Sequence, residues 1–101
     1  MLLKVEHKHV LDKELLHKWL SVKNLLITEH TLRVVSIDLN IASKYESDMY
    51  GLLLYLGVNI DHIYPNIICN GYMSSGEYDG SPLIRLIEPK TISLYINSFR
   101  S

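Results

Sequence analysis

The chain has 101 residues, 48% of them hydrophobic, and its 10 basic side chains nearly balance 11 acidic ones to leave a formal charge of −1. That length suits one domain with or without a short extension, and chains this small bury only about 60–68% of their unfolded surface, so burial against a partner adds usefully to stability. The even charge leaves no basic footprint for nucleic acid or an anionic membrane surface, and the longest apolar stretch, GLLLYLGV at 51–58, is far shorter than the roughly 20 residues needed to cross a bilayer.

The opening MLLKVEHKHV has too few apolar residues in a row for a secretory signal. Its alternation predicts an arm or edge strand, with Val5, His7 and His9 on one face. From Leu11 to Leu26 the period becomes helical: Leu15, Leu16, Trp19, Leu20 and Lys23 recur at three- and four-residue spacing, with Lys13, His17, Lys18 and Ser21 opposite. Trp19 is the largest apolar group of this amphipathic helix. Residues 1–30 therefore read as an arm followed by a helix.

Residues 31–89 read as the main domain. The β-branched run from Thr31 to Ser36 predicts a strand. Asp38 offers an N-cap for a short helix over Leu39–Tyr45, and Ser47 or Asp48 a cap for a second helix over Met49–Val58. That second helix is apolar almost all round, which predicts burial, with Gly51 at a close approach and Gly57 near its end. IDHIYPNIICNG reads as a turn around Pro65. YMSSGEYDGSP is rich in turn residues, so it reads as an exposed loop or hairpin, with 72–81 an assembly contact or dispensable excursion. LIRLI at 83–87 predicts the last strand, stopped by Pro89. The tail, 90–101, places Ile92, Leu94 and Ile96 on one face if extended and reads as another strand.

Little in this pattern carries chemistry. The His7-x-His9 spacing, with His17, suits a metal in residue type but lacks a third ligand at a recognisable spacing, so no metal or other cofactor is expected. Cys69 follows His62 by seven residues, yet lies in an apolar IICN context where cysteine behaves as a small hydrophobe. As the only cysteine it has no internal disulfide partner, which fits a reducing compartment or indifference to redox state. Asp61, Glu77, Asp79 and Glu88 could pair as general acid and base, but they stand in turn-like sequence and the chain is short for a catalytic cleft. The tyrosines Tyr45, Tyr50, Tyr55, Tyr64, Tyr72 and Tyr78 say more. Tyr50 and Tyr55 are five apart on one helix and must diverge, so at least one points outward, and tyrosine is enriched at interfaces. Trp19, Tyr50, Tyr55, Tyr72, Tyr78 and Tyr95 are the expected interface residues.

The order of signals resembles a LysM domain. RVVSIDL supplies a strand and a capping Asp38. Ile41 and Ala42 stand at the Ile-Ala position, Lys44 and Tyr45 close the first helix, Asn59 ends the second, Pro65 and Gly71 follow, and LIRLIEP forms the final strand. The resemblance spans 31–89 and is nearest to the degenerate LysM-like modules of phage baseplate wedge proteins. Two departures separate it from glycan-binding members: the insertion at 72–81, and Leu39 in place of a threonine after Asp38. The resemblance implies an α+β fold, a small antiparallel sheet with two short helices in the order βααβ, preceded by the amphipathic helix and arm. It also implies a non-enzymatic assembly role in a phage tail or baseplate, assembled in the host cytoplasm and bound to other virion proteins in a hetero-oligomeric or multi-copy complex. Cell-wall glycan binding is the alternative, and a small metal- or thiol-dependent enzyme a more distant one.

Overall fold

The computed structural model describes residues 13–28 and 32–100. Within them the chain is α+β. Helices α1 (Lys13–Ser21) and α2 (Lys23–Thr28) lead into strand β1 (Leu32–Ser36), followed by α3 (Leu39–Lys44), α4 (Met49–Tyr55) and a 3₁₀ turn at Ile60–His62. Next come α5 (Ile63–Cys69), a second 3₁₀ turn at Ser75–Glu77, strand β2 (Leu83–Ile87) and α6 (Pro89–Arg100). The arm expected at 1–10 lies outside the described residues.

Local chemistry accounts for most boundaries. The Asp38 side chain accepts from the Asn40 and Ile41 N–H groups, and that of Asp48 from Gly51, so each helix start has its donors met as the capping residues predict. Helix α4 closes with Val58 N–H donating to the Leu53 carbonyl and Gly57 N–H to that of Leu54, with Gly57 at φ +86°. This Schellman closure requires a left-handed residue, and it recurs at Gly71 after α5. The amphipathic helix expected over 11–26 is divided at Val22 into α1 and α2.

Three expectations are corrected. IYPNIIC is a helix rather than a turn, so three helices, not two, separate the strands. Pro65 is its third residue, in the first turn, where a missing N–H costs little because the residue four before it, Asp61, lies ahead of the helix. The tail is helix rather than strand. Ile92, Ile96 and Leu94 suit an extended face, but Ile92, Tyr95, Ile96 and Phe99 also suit a helical one, and those four pack inward while Leu94 is 70% exposed. The period of 3.6 therefore wins, and Pro89 opens the helix at the position where proline is best tolerated.

The two strands are antiparallel, with Leu32 opposite Ile87, Val34 opposite Arg85 and Ser36 opposite Leu83. One sheet face carries Val35, Ile84 and Leu86 onto a core built with Ala42, Met49, Leu52 and Leu53. The other face carries Leu32 and Ile87 onto a second core with Trp19 and Ile92. Helix α5 joins them, giving Ile63 and Ile67 to the first core and Ile68 and Cys69 to the second. In the second core Trp19 meets Phe99 edge-on at 4.8 Å, and Lys18 Nζ donates to the Phe99 carbonyl at 2.8 Å, tying α6 to α1. Each fully buried large aliphatic contributes about 1.5–3 kcal/mol by leaving water.

The 72–81 segment is also not an excursion from the core. Tyr78 is only 1% exposed and belongs to the first core, and its hydroxyl donates to the Ser81 carbonyl at 2.6 Å. Its own carbonyl accepts from Ser47 N–H at 2.8 Å, holding that residue at φ +66°, while Ser75 Oγ accepts from Tyr50 N–H at the start of α4. The turn residues of this stretch read as exposed loop, yet one aromatic side chain plugs it into the core.

Candidate functional site

The residues weighed for catalysis do not converge. Cys69 is fully buried, donates its S–H to the Asn66 carbonyl at 3.3 Å, and faces the Arg85 carbonyl at 3.6 Å. Burial pushes its thiol up to about 12, and the Arg85 charge offsets this only in part. A thiolate nucleophile needs the opposite environment. Asp79 accepts from Tyr72 Oη and from Ser81 N–H, both at 3.0 Å, which is turn chemistry, and Glu77 accepts from Ser74 Oγ. Asp61 and Glu88 are exposed on other turns. His17 is exposed on α1, and His7 and His9 lie outside the described residues. Among the described residues no three His, Cys, Asp or Glu side chains gather as a metal site.

A cleft of about 380 Å³ opens between the sheet and the α4–α5 connection, lined by Arg33, Leu86, Leu56, Val58, His62 and Pro89 among others. Burial lowers the pKa of His62, with Asp61 opposing the shift. Among the described residues the cleft wall offers the Arg33 guanidinium and the His62 imidazole, with no carboxylate, thiol or hydroxyl beside them.

The expected interface residues divide. Trp19 and Tyr78 are interior side chains, so they support the cores and present no docking surface. Tyr50, Tyr72 and Tyr95 are half-buried, Tyr72 and Tyr78 meeting edge-on at 6.1 Å. Tyr55 is 57% exposed and diverges from Tyr50 as the five-residue spacing requires.

The edges of the sheet are the least symmetrical feature. On the outer side of β2, Asn70 Oδ1 accepts from Arg85 N–H at 2.7 Å and Asn70 Nδ2 donates to the Arg85 carbonyl at 2.8 Å. Asn66 Oδ1 accepts from Ile87 N–H at 2.8 Å, and its Nδ2 donates to the His62 carbonyl. Two amides one helical turn apart, Asn66 in α5 and its C-cap Asn70, thus replace a neighbouring strand. Because the backbones of Arg85 and Ile87 point outward, their opposite residues Val34 and Leu32 point outward too, as does Ser36. Among the described residues nothing hydrogen-bonds to these backbone groups of β1. Beside that open edge, Val34 is 66% and Leu83 60% exposed on the same sheet face. Sequence reasoning missed this clamp. Its signal was the Asn66-x-x-x-Asn70 spacing inside an apolar run, where a buried amide must be satisfied by something.

No protein-family model, curated protein or solved structure matches the chain.

Proposed function

We propose that the protein is a non-catalytic assembly subunit of a bacteriophage virion, in the tail or baseplate. The observation that supports this reading most is the β1 edge, unpaired among the described residues, with the exposed apolar pair Val34 and Leu83 beside it. An edge of unpaired backbone groups flanked by apolar side chains is a template for strand addition by another chain. The α+β class and the antiparallel pairing of β1 with β2 agree with a LysM-like module, while the third intervening helix, α5, departs from its βααβ order. The dispersion of Cys69, Asp61, Glu77, Asp79 and Glu88 favours a structural role over an enzymatic one.

The test is whether the chain is a stoichiometric component of purified particles, read by quantitative mass spectrometry. Particles of full protein composition without this chain would overturn the reading. Titration with N-acetylglucosamine oligomers, followed by amide shifts around Asp38 and Gly71, addresses the glycan-binding alternative, and saturable binding there would favour it.

A further inference from the structure

The geometry points to a second copy of this chain as the occupant of the β1 edge, paired antiparallel about a two-fold axis at Val34. This rests on the assembly reading and names a partner for the open edge. The two edges of the sheet are treated differently: Asn66 and Asn70 occupy that of β2, whereas among the described residues nothing bonds to the outward N–H and C=O groups of β1. A two-stranded sheet is marginal in water, and joining two copies gives four continuous strands in the order β2–β1–β1–β2.

The strand is built to pair with itself. Its outward residues are Leu32, Val34 and Ser36, the first, middle and last of LRVVS, so they are symmetric about the middle one. With Val34 on the axis, Leu32 of each copy faces Ser36 of the other, and every outward backbone donor meets an outward acceptor. Any shift of register leaves some of them unmet. The side chains agree. Val34 meets its symmetry mate, converting a strongly exposed apolar group into a cross-strand pair. Ser36, being small, leaves Leu83 room to lean toward the second copy's Leu32. Arg33 faces Val35 rather than another cation. The two Arg85 side chains stand three strand spacings apart, about 14 Å, beyond the roughly 8–10 Å over which salt screens charges. Closed two-fold pairing is also the commonest solution for homo-oligomers.

Sedimentation equilibrium on the full chain should show a monomer–dimer equilibrium. Val34→Pro removes the outward donor on the axis without touching the β1–β2 ladder, because that residue's N–H faces away from β2. It should weaken dimerisation by about tenfold or more, as expected for losing the two axial hydrogen bonds. Val34→Cys supplies a register-specific test that does not depend on proline being accommodated. Paired residues of this type lie about 5.5 Å apart at Cα, within disulfide reach, so this variant should form a covalent dimer in air, while Ser36→Cys, offset from its own mate, should not. The native Cys69 is buried and will not compete. A wild-type chain that stays monomeric at millimolar concentration overturns the proposal, and so does a dimer indifferent to Val34→Pro or cross-linked equally through Ser36→Cys. Slow exchange of the Leu32, Val34 and Ser36 amides in a proven monomer would show the edge covered from within the chain and would also overturn it. None of these results bears on whether the chain is a virion component, which particle composition decides separately.

Discussion

Asn70 holds Arg85 by both of its backbone groups, accepting from the N–H and donating to the carbonyl, as the next strand of a sheet would. One turn away Asn66 accepts from Ile87 N–H and donates to the His62 carbonyl, and it is buried, at 2% exposure. Asn66→Ala should therefore be the more damaging substitution. It strands the Ile87 donor and the His62 acceptor, an expected loss of about 2–3 kcal/mol, against about 1 kcal/mol for Asn70→Ala at a partly solvated site. Urea unfolding of the two variants measures this, and equal losses would mean that the clamp is not graded by burial.

The segment 72–81 should not tolerate deletion. Tyr78→Ala should cost about 3–5 kcal/mol through the cavity it leaves, and Tyr78→Phe about 1 kcal/mol through the lost hydrogen bond to Ser81. Shortening the segment to a two-residue turn removes that aromatic plug and the Ser75 contact to Tyr50 together. Circular dichroism and thermal unfolding should show loss of the cooperative transition.

In α4, Leu53 is fully buried, so Leu53→Ala should cost about 2–5 kcal/mol. Leu53→Asp should abolish folding, because an unpaired carboxylate cannot be buried there. A soluble Leu53→Asp protein with native thermal unfolding would contradict the packing described.

Gly51 is constrained by its neighbour rather than by its backbone. A Cβ there would collide with the Asp48 carboxylate that caps the same helix. Gly51→Ala should thus destabilise the protein despite alanine's better helix propensity, by up to the roughly 1 kcal/mol a cap is worth. Paired with Asp48→Ala, the two losses should be less than additive.

The Cys69 thiol should make stability fall at alkaline pH. Its folded pKa of about 12 stands above the ordinary value of 9.0, so the protonated form is favoured by folding. That stability is complete below about pH 9 and is lost as the pH rises toward 12. Burial raises Tyr72 and Tyr78 as well, from an ordinary value of 10.0, so they add to the decline only above that pH. Cys69→Ala should flatten the profile between pH 9 and 10 specifically, and denaturant midpoints across that range would reveal it. At pH 8 the wild-type thiol should resist iodoacetamide until the protein is unfolded.

The features legible in the sequence are those decided within a few residues. Asp38 and Asp48 cap helices because a carboxylate beside the first free N–H groups needs nothing further away, and Gly57 ends α4 because the closure there demands a left-handed residue. LRVVS is legible as a strand from its β-branched content and LIRLI from its alternation and the Pro89 stop, and with the helices they set the α+β class. The tertiary structure decided whatever local chemistry left degenerate. Ile92 and Ile96 satisfy both periods, and α6 is a helix because Trp19 offers a surface that Ile92, Tyr95 and Phe99 can cover together, which leaves Leu94 outside. IYPNIIC is helical because both cores claim its isoleucines at once and the β2 edge claims Asn66 and the capping Asn70. Tyr78 turns a polar loop into part of the interior. Those choices are made by contacts between residues far apart in the chain, and the open edge of β1 emerges only when α5 has taken the other side.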